Sequence, residues 1–371
     1  MEIKNTVQRW VRFHLIKHWY EKYERILLPA MLLFGVITDA WAFAEIDTVV
    51  VLSILGVYLV TSGGIILFLN RYDTKILPDL NRFRRYLRLL SPLLIQFLFG
   101  ALLNAVFIFY FFSGTLFVSW PFLLLVVFLM ISNDVFRHHF VKPLVQVSVY
   151  FFLLFSYVSI ALPFLFNSLS IWLFIVSGAA SIILISVYLF VLTRLAASTK
   201  KQSINFILSI LVISIFMNAL YFFNIVPPIP LALREHLVSH GIVRSAGGYL
   251  LHVEKESWWK KIFIGSTFHK SGEESLSVYT AIFAPKNLNA KIIHDWQWYD
   301  TTKKEWVSKD RLSFLLTGGR REGFRGYSTK TTVPAGQWRV YVKTERGQVL
   351  GRVSFTVVIA SESIILKDIL K

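Results

Sequence analysis

Apolar positions in the first three-fifths of the chain fall into seven unbroken runs: Ile26–Ala44, Val49–Leu69, Leu93–Phe112, Leu116–Ser132, Val145–Phe166, Ile171–Thr193 and Ile204–Val226. Each is about 17 to 23 residues long, and roughly 20 apolar residues in a helix cross the hydrocarbon core of a bilayer. Inside lipid every backbone polar group has to be paired within its own segment, which for runs of this length leaves only helices. Seven transmembrane helices are therefore predicted over residues 26–226. The pattern stops at Pro227-Pro228-Ile229-Pro230.

Beyond the proline cluster the period changes. Leu231 to His240 reads as a short amphipathic helix ended by Gly241, so residues 227–241 form a linker with one helix. From Glu274 onwards apolar positions alternate. Leu276, Val278, Thr280 and Ile282 share one face against Ser277, Tyr279 and Ala281. Ile292, His294, Trp296 and Trp298 share a face of the next strand, with Asp295 and Gln297 on the other. Further strands follow at Leu312–Leu316, Tyr327–Thr331, Trp338–Val342 and Val349–Val357, separated by turns at Pro334-Ala335-Gly336 and Arg346-Gly347. The segment 242–272 is expected to add one or two strands. Short alternating strands with a turn about every ten residues predict an antiparallel β-sandwich over residues 242–371. Trp296 and Trp338 are expected to fill its core, since buried aromatics dominate small sandwich cores.

Charge sets the expected orientation. Lys and Arg concentrate in the N-terminal tail (Lys4 to Arg25), the second connection (Arg71 to Arg88), the fourth (Arg137, Lys142) and the sixth (Arg194, Lys200, Lys201), seventeen in all. The first, third and fifth connections hold none. Cytoplasmic loops carry the basic excess, so the N-terminus is expected inside and the C-terminal domain outside. Residues 1–25 alternate apolar positions (Val7, Trp10, Val11, Leu15, Trp19) with basic ones, as suits a helix in the cytoplasmic interface. They carry none of the pattern of a secretory signal.

The chain has no cysteine, so a hydrophobic core rather than disulfides has to hold an external domain of about 140 residues. After the proline cluster, 22 basic residues face 13 acidic ones, a surplus that suits anionic lipid headgroups or an anionic polymer. Trp258-Trp259-Lys260-Lys261 has the composition of a membrane-interface anchor.

One further pattern has a family likeness. Trp296-x-Trp298-Tyr299, Tyr327-Ser328-x-Lys330, Gly336-Gln337-Trp338-Arg339-Val340, Gly347-Gln348-Val349-Leu350 and Phe355-x-Val357 together resemble the bacterial domain of unknown function 2914, over residues 275 to 358. Some members carry this domain behind a multi-helix membrane region. The resemblance implies a bacterial envelope protein and an immunoglobulin-like fold for the sandwich. It implies no activity and no catalytic residue.

Candidate chemistry is sparse. His14 and His18 share a helix face, and His138 and His139 lie in the fourth connection on the same side of the membrane. Imidazoles at the cytoplasmic face suit iron, but membrane di-iron sites draw on about eight histidines, and the same four also read as interfacial residues of basic loops. Asp39 is the ionisable residue within an apolar run, a functional candidate by position. Thr61-Ser62-Gly63-Gly64 suits close helix approach, and Gln96, Asn104, Gln146 and Asn218 suit hydrogen bonds between helices. No phosphate-cradling glycine motif is present, and no nucleic-acid partner is expected. The densest external basic cluster is a hairpin with Arg320, Arg321 and Arg325, beside Tyr327. Arginine forks there suit phosphate or carboxylate.

The expected protein is thus a multi-pass bacterial inner-membrane protein with no enzymatic activity, catalytic residue, cofactor or metal. Its periplasmic sandwich binds an envelope protein, an anionic glycan or an anionic lipid. The rival reading is a membrane enzyme or transporter acting within the helices, with the sandwich as an accessory.

Overall fold

A computed structural model describes residues 48–72, 82–113, 116–135, 142–226, 231–245, 248–254, 266–283, 289–317, 324–360 and 364–371. Helices run over Thr48–Arg71 (α1), Arg82–Ser113 (α2), Leu116–Val135 (α3), Pro143–Phe166 (α4), Ile171–Leu195 (α5), the single turn Ala197–Lys200 (α6) and Ser203–Phe222 (α7). Six of the seven predicted runs are therefore helical. The first, Ile26–Ala44, lies outside the described residues, as do residues 1–25 and Trp258 to Lys261. Five helices (α1, α2, α4, α5 and α7) are long and apolar enough to cross a membrane, while the apolar stretch of α3, Val118–Asn133, is shorter. Asn167 and Asn224, at φ 47° and 57°, turn the chain out of α4 and α7, a left-handed exit that asparagine tolerates better than most residues.

The chain forms two compact units. The first holds the described residues up to Ile108, with Val126–Leu154 and Tyr188–Ile207. Its helices meet where side chains are small. A Cβ on Gly63 would lie 2.7 Å from the Tyr150 hydroxyl, and the Tyr188 hydroxyl donates to the Gly63 carbonyl at 3.0 Å. Asn70 donates to Gln146 at 3.1 Å, and Asn133 donates to the Gln96 carbonyl at 2.9 Å. In lipid, such contacts replace the hydrophobic drive that is missing between helices.

The second unit holds Phe109–Leu125, Phe155–Val187 and everything from Leu208 onwards. Its strands are β1 (Ala232–Ser239), β2 (Gly241–Ser245), β3 (Gly248–Glu254), β4 (Ser266–Lys270), β5 (Leu276–Phe283), β6 (Asn289–Asp300), β7 (Glu305–Thr317), β8 (Phe324–Lys330), β9 (Gly336–Thr344), β10 (Val349–Ile359) and β11 (Leu366–Leu370). They make three sheets: β1-β5-β8, β4-β10-β9-β6-β7 and β11-β3-β2.

Three expectations are corrected. Leu231–His240 does not form a helix: β1 pairs antiparallel with β5 from Ala232 opposite Phe283 to Ser239 opposite Ser277. The local spacing of its apolar residues fits a helix, but pairing with β5 satisfies a strand edge that sequence-local reasoning does not see. The sheets are not wholly antiparallel, because β4 runs parallel to β10 from Ser266 opposite Phe355. Alternation reveals which face a residue takes, not the direction of its neighbour. Finally, the segment 242–272 contributes three strands, and a third sheet packs outside the pair.

The core between the first two sheets is built on Trp296 and Trp338, edge to face at 6.3 Å, with Phe355 6.2 Å from Trp296. Phe268, Leu276, Val278, Val340, Val353 and Val357 complete it. A neighbouring cluster of Leu231, Ile282, Ile292, Leu316, Val342 and Leu350 is covered by Leu169, from the connection between α4 and α5. Strand β5 is buried on both faces, since Tyr279 and Ala281 pack against Leu251 and Val253 of the third sheet. On the helical side of this unit Phe174 stacks on Tyr221 at 3.5 Å. The Tyr221 hydroxyl accepts a hydrogen bond from Arg346 Nη1, and the guanidinium lies 4.6 Å from the Tyr221 ring centroid. The turn between β9 and β10 is thereby fixed to the end of α7.

Candidate functional site

The five-stranded sheet buries one face and leaves the other open. On β6 the core takes Ile292, His294 and Trp296, so the pleat sends Asp295, Gln297 and Tyr299 outward. On β9 it takes Trp338, Val340 and Val342, sending Arg339, Tyr341 and Lys343 outward. Register then brings these residues together: Gln297 is opposite Arg339 and Asp295 opposite Tyr341, while Tyr299 is opposite Trp306 of β7.

The outer face is wired from Asp295. Its carboxylate accepts from Lys343 Nζ at 2.6 Å, from Ser308 Oγ at 2.7 Å and from Gln297 Nε2 at 2.9 Å. Burial, the largest influence, pushes this carboxyl up, but the Lys343, Ser308 and Gln297 bonds together hold it below the usual range. Asp295 is thus an ionised, fully partnered group that orients its neighbours. Gln297, its amide fixed, accepts from Arg339 Nε at 2.8 Å. The Arg339 guanidinium lies 4.1 Å from the Trp306 ring centroid and 5.0 Å from that of Tyr341, with Tyr299 5.2 Å from Trp306. Arg339 is therefore held at Nε and lies against the Trp306 and Tyr341 rings. Nη1 and Nη2 have no hydrogen-bond partner among the described residues. A planar fork held this way matches a carboxylate or a phosphate in two parallel hydrogen bonds.

A second charged cluster joins β3 and β4 to the residue that follows β1 and to the turn before β5. His240, its side chain 3% exposed, bonds Glu274 through Nδ1 at 2.8 Å and Glu254 through Nε2 at 3.0 Å. His269 Nδ1 reaches the other oxygen of Glu254 at 2.7 Å, and Phe268 stacks on His240 at 4.1 Å. Burial alone lowers the His240 pKa, yet the bonds and charges of Glu254 and Glu274 raise it above the ordinary value. Glu254 responds in the opposite sense: burial raises it, and the His240 and His269 bonds carry it below the usual carboxylate range. Among the described residues no group of histidines and carboxylates has the arrangement of a metal site. A cleft of about 340 Å³, lined in part by His236, Glu254, Phe268 and Arg352, opens beside this cluster.

A third histidine is structural. His294 is fully buried between Thr280 Oγ1 at 3.1 Å and Ser328 Oγ at 2.7 Å, and Trp296 Nε1 donates to the same Ser328 at 3.0 Å. Burial pushes its pKa down to about 4, so it is neutral at pH 7.

The residues singled out in the sequence fall elsewhere. His14, His18, Asp39, His138, His139, Arg320 and Arg321 lie outside the described residues. Arg325 and Tyr327 lie on β8, turned towards the third sheet: a Cβ on Gly248 would meet Arg325 Nη1 at 2.6 Å, and the Tyr327 ring packs 5.4 Å from Tyr249. The structure does not join them to the Asp295–Arg339 face. That face was half visible, since the alternation placed Asp295 and Gln297 opposite the core. Its counterpart on β9 is signalled by Arg339, Tyr341 and Lys343 at alternate positions.

Residues 289–357, which span β6 to β10, match the family described as Protein of unknown function (DUF2914). No curated protein matches the chain. Among solved structures, a β-glucosidase from Listeria innocua in complex with gluconolactone aligns at 15% identity, over 33% of this chain and 16% of its own, with a TM-score of 0.19. The alkylpurine DNA glycosylase AlkC of Pseudomonas fluorescens, bound to DNA containing an abasic site analogue, aligns at 11% identity over 81% of this chain and 97% of its own, with a TM-score of 0.22. Both scores lie far below that of a shared fold.

Proposed function

We propose that this is a non-enzymatic bacterial inner-membrane protein that presents its β domain in the periplasm to bind an envelope partner. In this reading seven helices cross the membrane with the N-terminus in the cytoplasm, and the two packed sheets form an immunoglobulin-like sandwich with a third sheet added outside. The basic asymmetry of the connections supports the orientation. The family match over β6 to β10 and the paired tryptophans of the core support the domain assignment. The observation that carries the binding role is the outer face of the five-stranded sheet, where Arg339 is stacked, tethered to Gln297 and open at both terminal nitrogens. In the first unit the polar side chains Asn70, Gln146, Asn133 and Tyr188 make hydrogen bonds within and between helices, as residues that hold helices together do.

Two measurements test this. A reporter fused after Lys371 is expected to be active only outside the cytoplasm. Full-length protein immobilised in detergent is expected to retain envelope material, and Arg339→Gln to retain much less while keeping the same melting temperature. Cytoplasmic reporter activity overturns the topology; equal retention by the variant overturns the binding face.

A further inference from the structure

We propose that the Arg339 face is a subsite for an acidic sugar: the guanidinium takes a carboxylate on the sugar ring, and Trp306, Tyr299 and Tyr341 flank the ring's C–H surface. The proposal rests on the reading that the β domain binds an envelope partner, and names the chemistry of that partner.

Preorganisation is the first support. A free arginine side chain gives up about 2 kcal/mol of rotamer entropy when it is fixed. Here folding has already fixed it, through the chain of bonds from Lys343 and Ser308 to Asp295, from Asp295 to Gln297, and from Gln297 to Arg339 Nε. A purely structural arginine on this face would pair with the carboxylate two residues from Gln297. Instead Asp295 is matched by Lys343, and Arg339 keeps its fork for another anion. Arg352, on the adjacent strand opposite Tyr341, adds a second positive charge to the same outer face.

The aromatic composition narrows the anion. Trp306, Tyr299 and Tyr341 are half-buried, so each ring keeps part of its surface open around the guanidinium. Inorganic phosphate or a bare carboxylate would gain nothing from these rings. A pyranose carrying a carboxylate presents both a charge for the fork and a C–H face for the aromatics.

The turn after β9 touches α7 through Arg346 and Tyr221, and Arg339 lies five residues before Thr344, roughly 17 Å away along an extended strand. Vesicles of anionic lipid, tested beside the sugar, separate a headgroup from a glycan.

The test is calorimetric titration of the full-length protein, in nanodiscs of uncharged lipid, with trigalacturonate, with maltotriose as an uncharged trisaccharide, and with phosphatidylglycerol vesicles. Trigalacturonate is expected to bind saturably, and more weakly as salt rises. Maltotriose is expected to bind at least about tenfold more weakly, as the loss of a charge-assisted bidentate pair implies. Arg339→Gln should lose the same factor, Arg339→Lys nearly as much because ammonium cannot stack or fork, and Trp306→Ala several-fold. Lys367→Gln, on β11, should bind as the unmodified protein does. If Arg339→Gln fails to fold, Trp306→Ala and Arg339→Lys carry the test. Unchanged affinity in the Arg339 and Trp306 variants, equal binding of maltotriose, or Arg339-dependent binding of the vesicles without the trisaccharide overturns the assignment. If trigalacturonate does not bind while Arg339→Gln still reduces retention of envelope material, the acidic sugar is wrong and the partner-binding role stands, with a protein as the remaining occupant. If retention is equally insensitive, both fall.

Discussion

Helix α7 and strand β5 are both rich in large apolar residues, and they use them in opposite ways. On α7, Ile204, Ile207, Leu208, Leu211, Val212 and Ile215 all point away from the protein, because lipid accepts them as readily as a protein core would. On β5, seven of eight positions are buried, and both faces meet another sheet. The strand is held by removing apolar surface from water. The helices are held by close approach and a few hydrogen bonds, such as those at Gly63 and Gln146. The same composition therefore implies different weak points. The β domain fails when a large side chain or a whole strand is removed, and the bundle fails when something is added.

The largest effect should come from β1. A fragment of residues 231–371 is expected to unfold in one cooperative step, whereas 242–371, which lacks β1 and Leu231, should show no cooperative melt by circular dichroism. Cooperative melting of the shorter fragment would show that β5 does not need its partner. Next is Trp296→Ala, which opens the middle of the core and should cost about 3–5 kcal/mol in denaturant unfolding; a cost below ~1 kcal/mol would place the core elsewhere.

Acid comes third. The unfolded chain protonates His294 at its ordinary pKa, whereas the folded domain resists protonation down to about 4. Its contribution is thus complete above the ordinary histidine range and falls away as pH drops from there towards 4, by about 3 kcal/mol. His294→Gln should flatten this acid limb of the stability profile. His240 acts in reverse, since its pKa is raised: its contribution is full at low pH and is lost as pH climbs past the raised value, a loss that His240→Gln should abolish. In the bundle, Gly63→Leu collides with Tyr150 and should lower stability in detergent by about 1–3 kcal/mol. Gly64→Leu, with nothing within 4 Å of its Cβ, should be nearly neutral.

What could be read from the sequence follows the range of the forces involved. Helices satisfy their hydrogen bonds locally, so six runs were visible as spans without knowledge of their neighbours. The alternation in β6, β9 and β10 is equally plain, because each has one face on a deep core. Strand β1 has the local spacing of a helix, and only its register with β5, some forty residues on, makes it a strand. Strand β11 carries too few buried positions to announce itself. The candidate face depends on register twice over. Arg339 meets Trp306 across an intervening strand, and the β6–β7 register shifts between Trp296 and Gln297, where β7 carries the extra residue Lys309. No spacing along the chain encodes such a meeting.

The pairing of β11 with β3 has a kinetic consequence. His252 and Asp368 approach to 2.6 Å although 116 residues separate them, and every strand of the first two sheets except β1 lies between them in sequence. The entropy of closing so long a loop is small once the intervening chain is compact and large before. The third sheet is therefore expected to close last and slowly, like a clasp over a finished box. Until it does, the outer edge of Tyr279 and Ala281 remains the surface on which a partly folded molecule would stick to its neighbours.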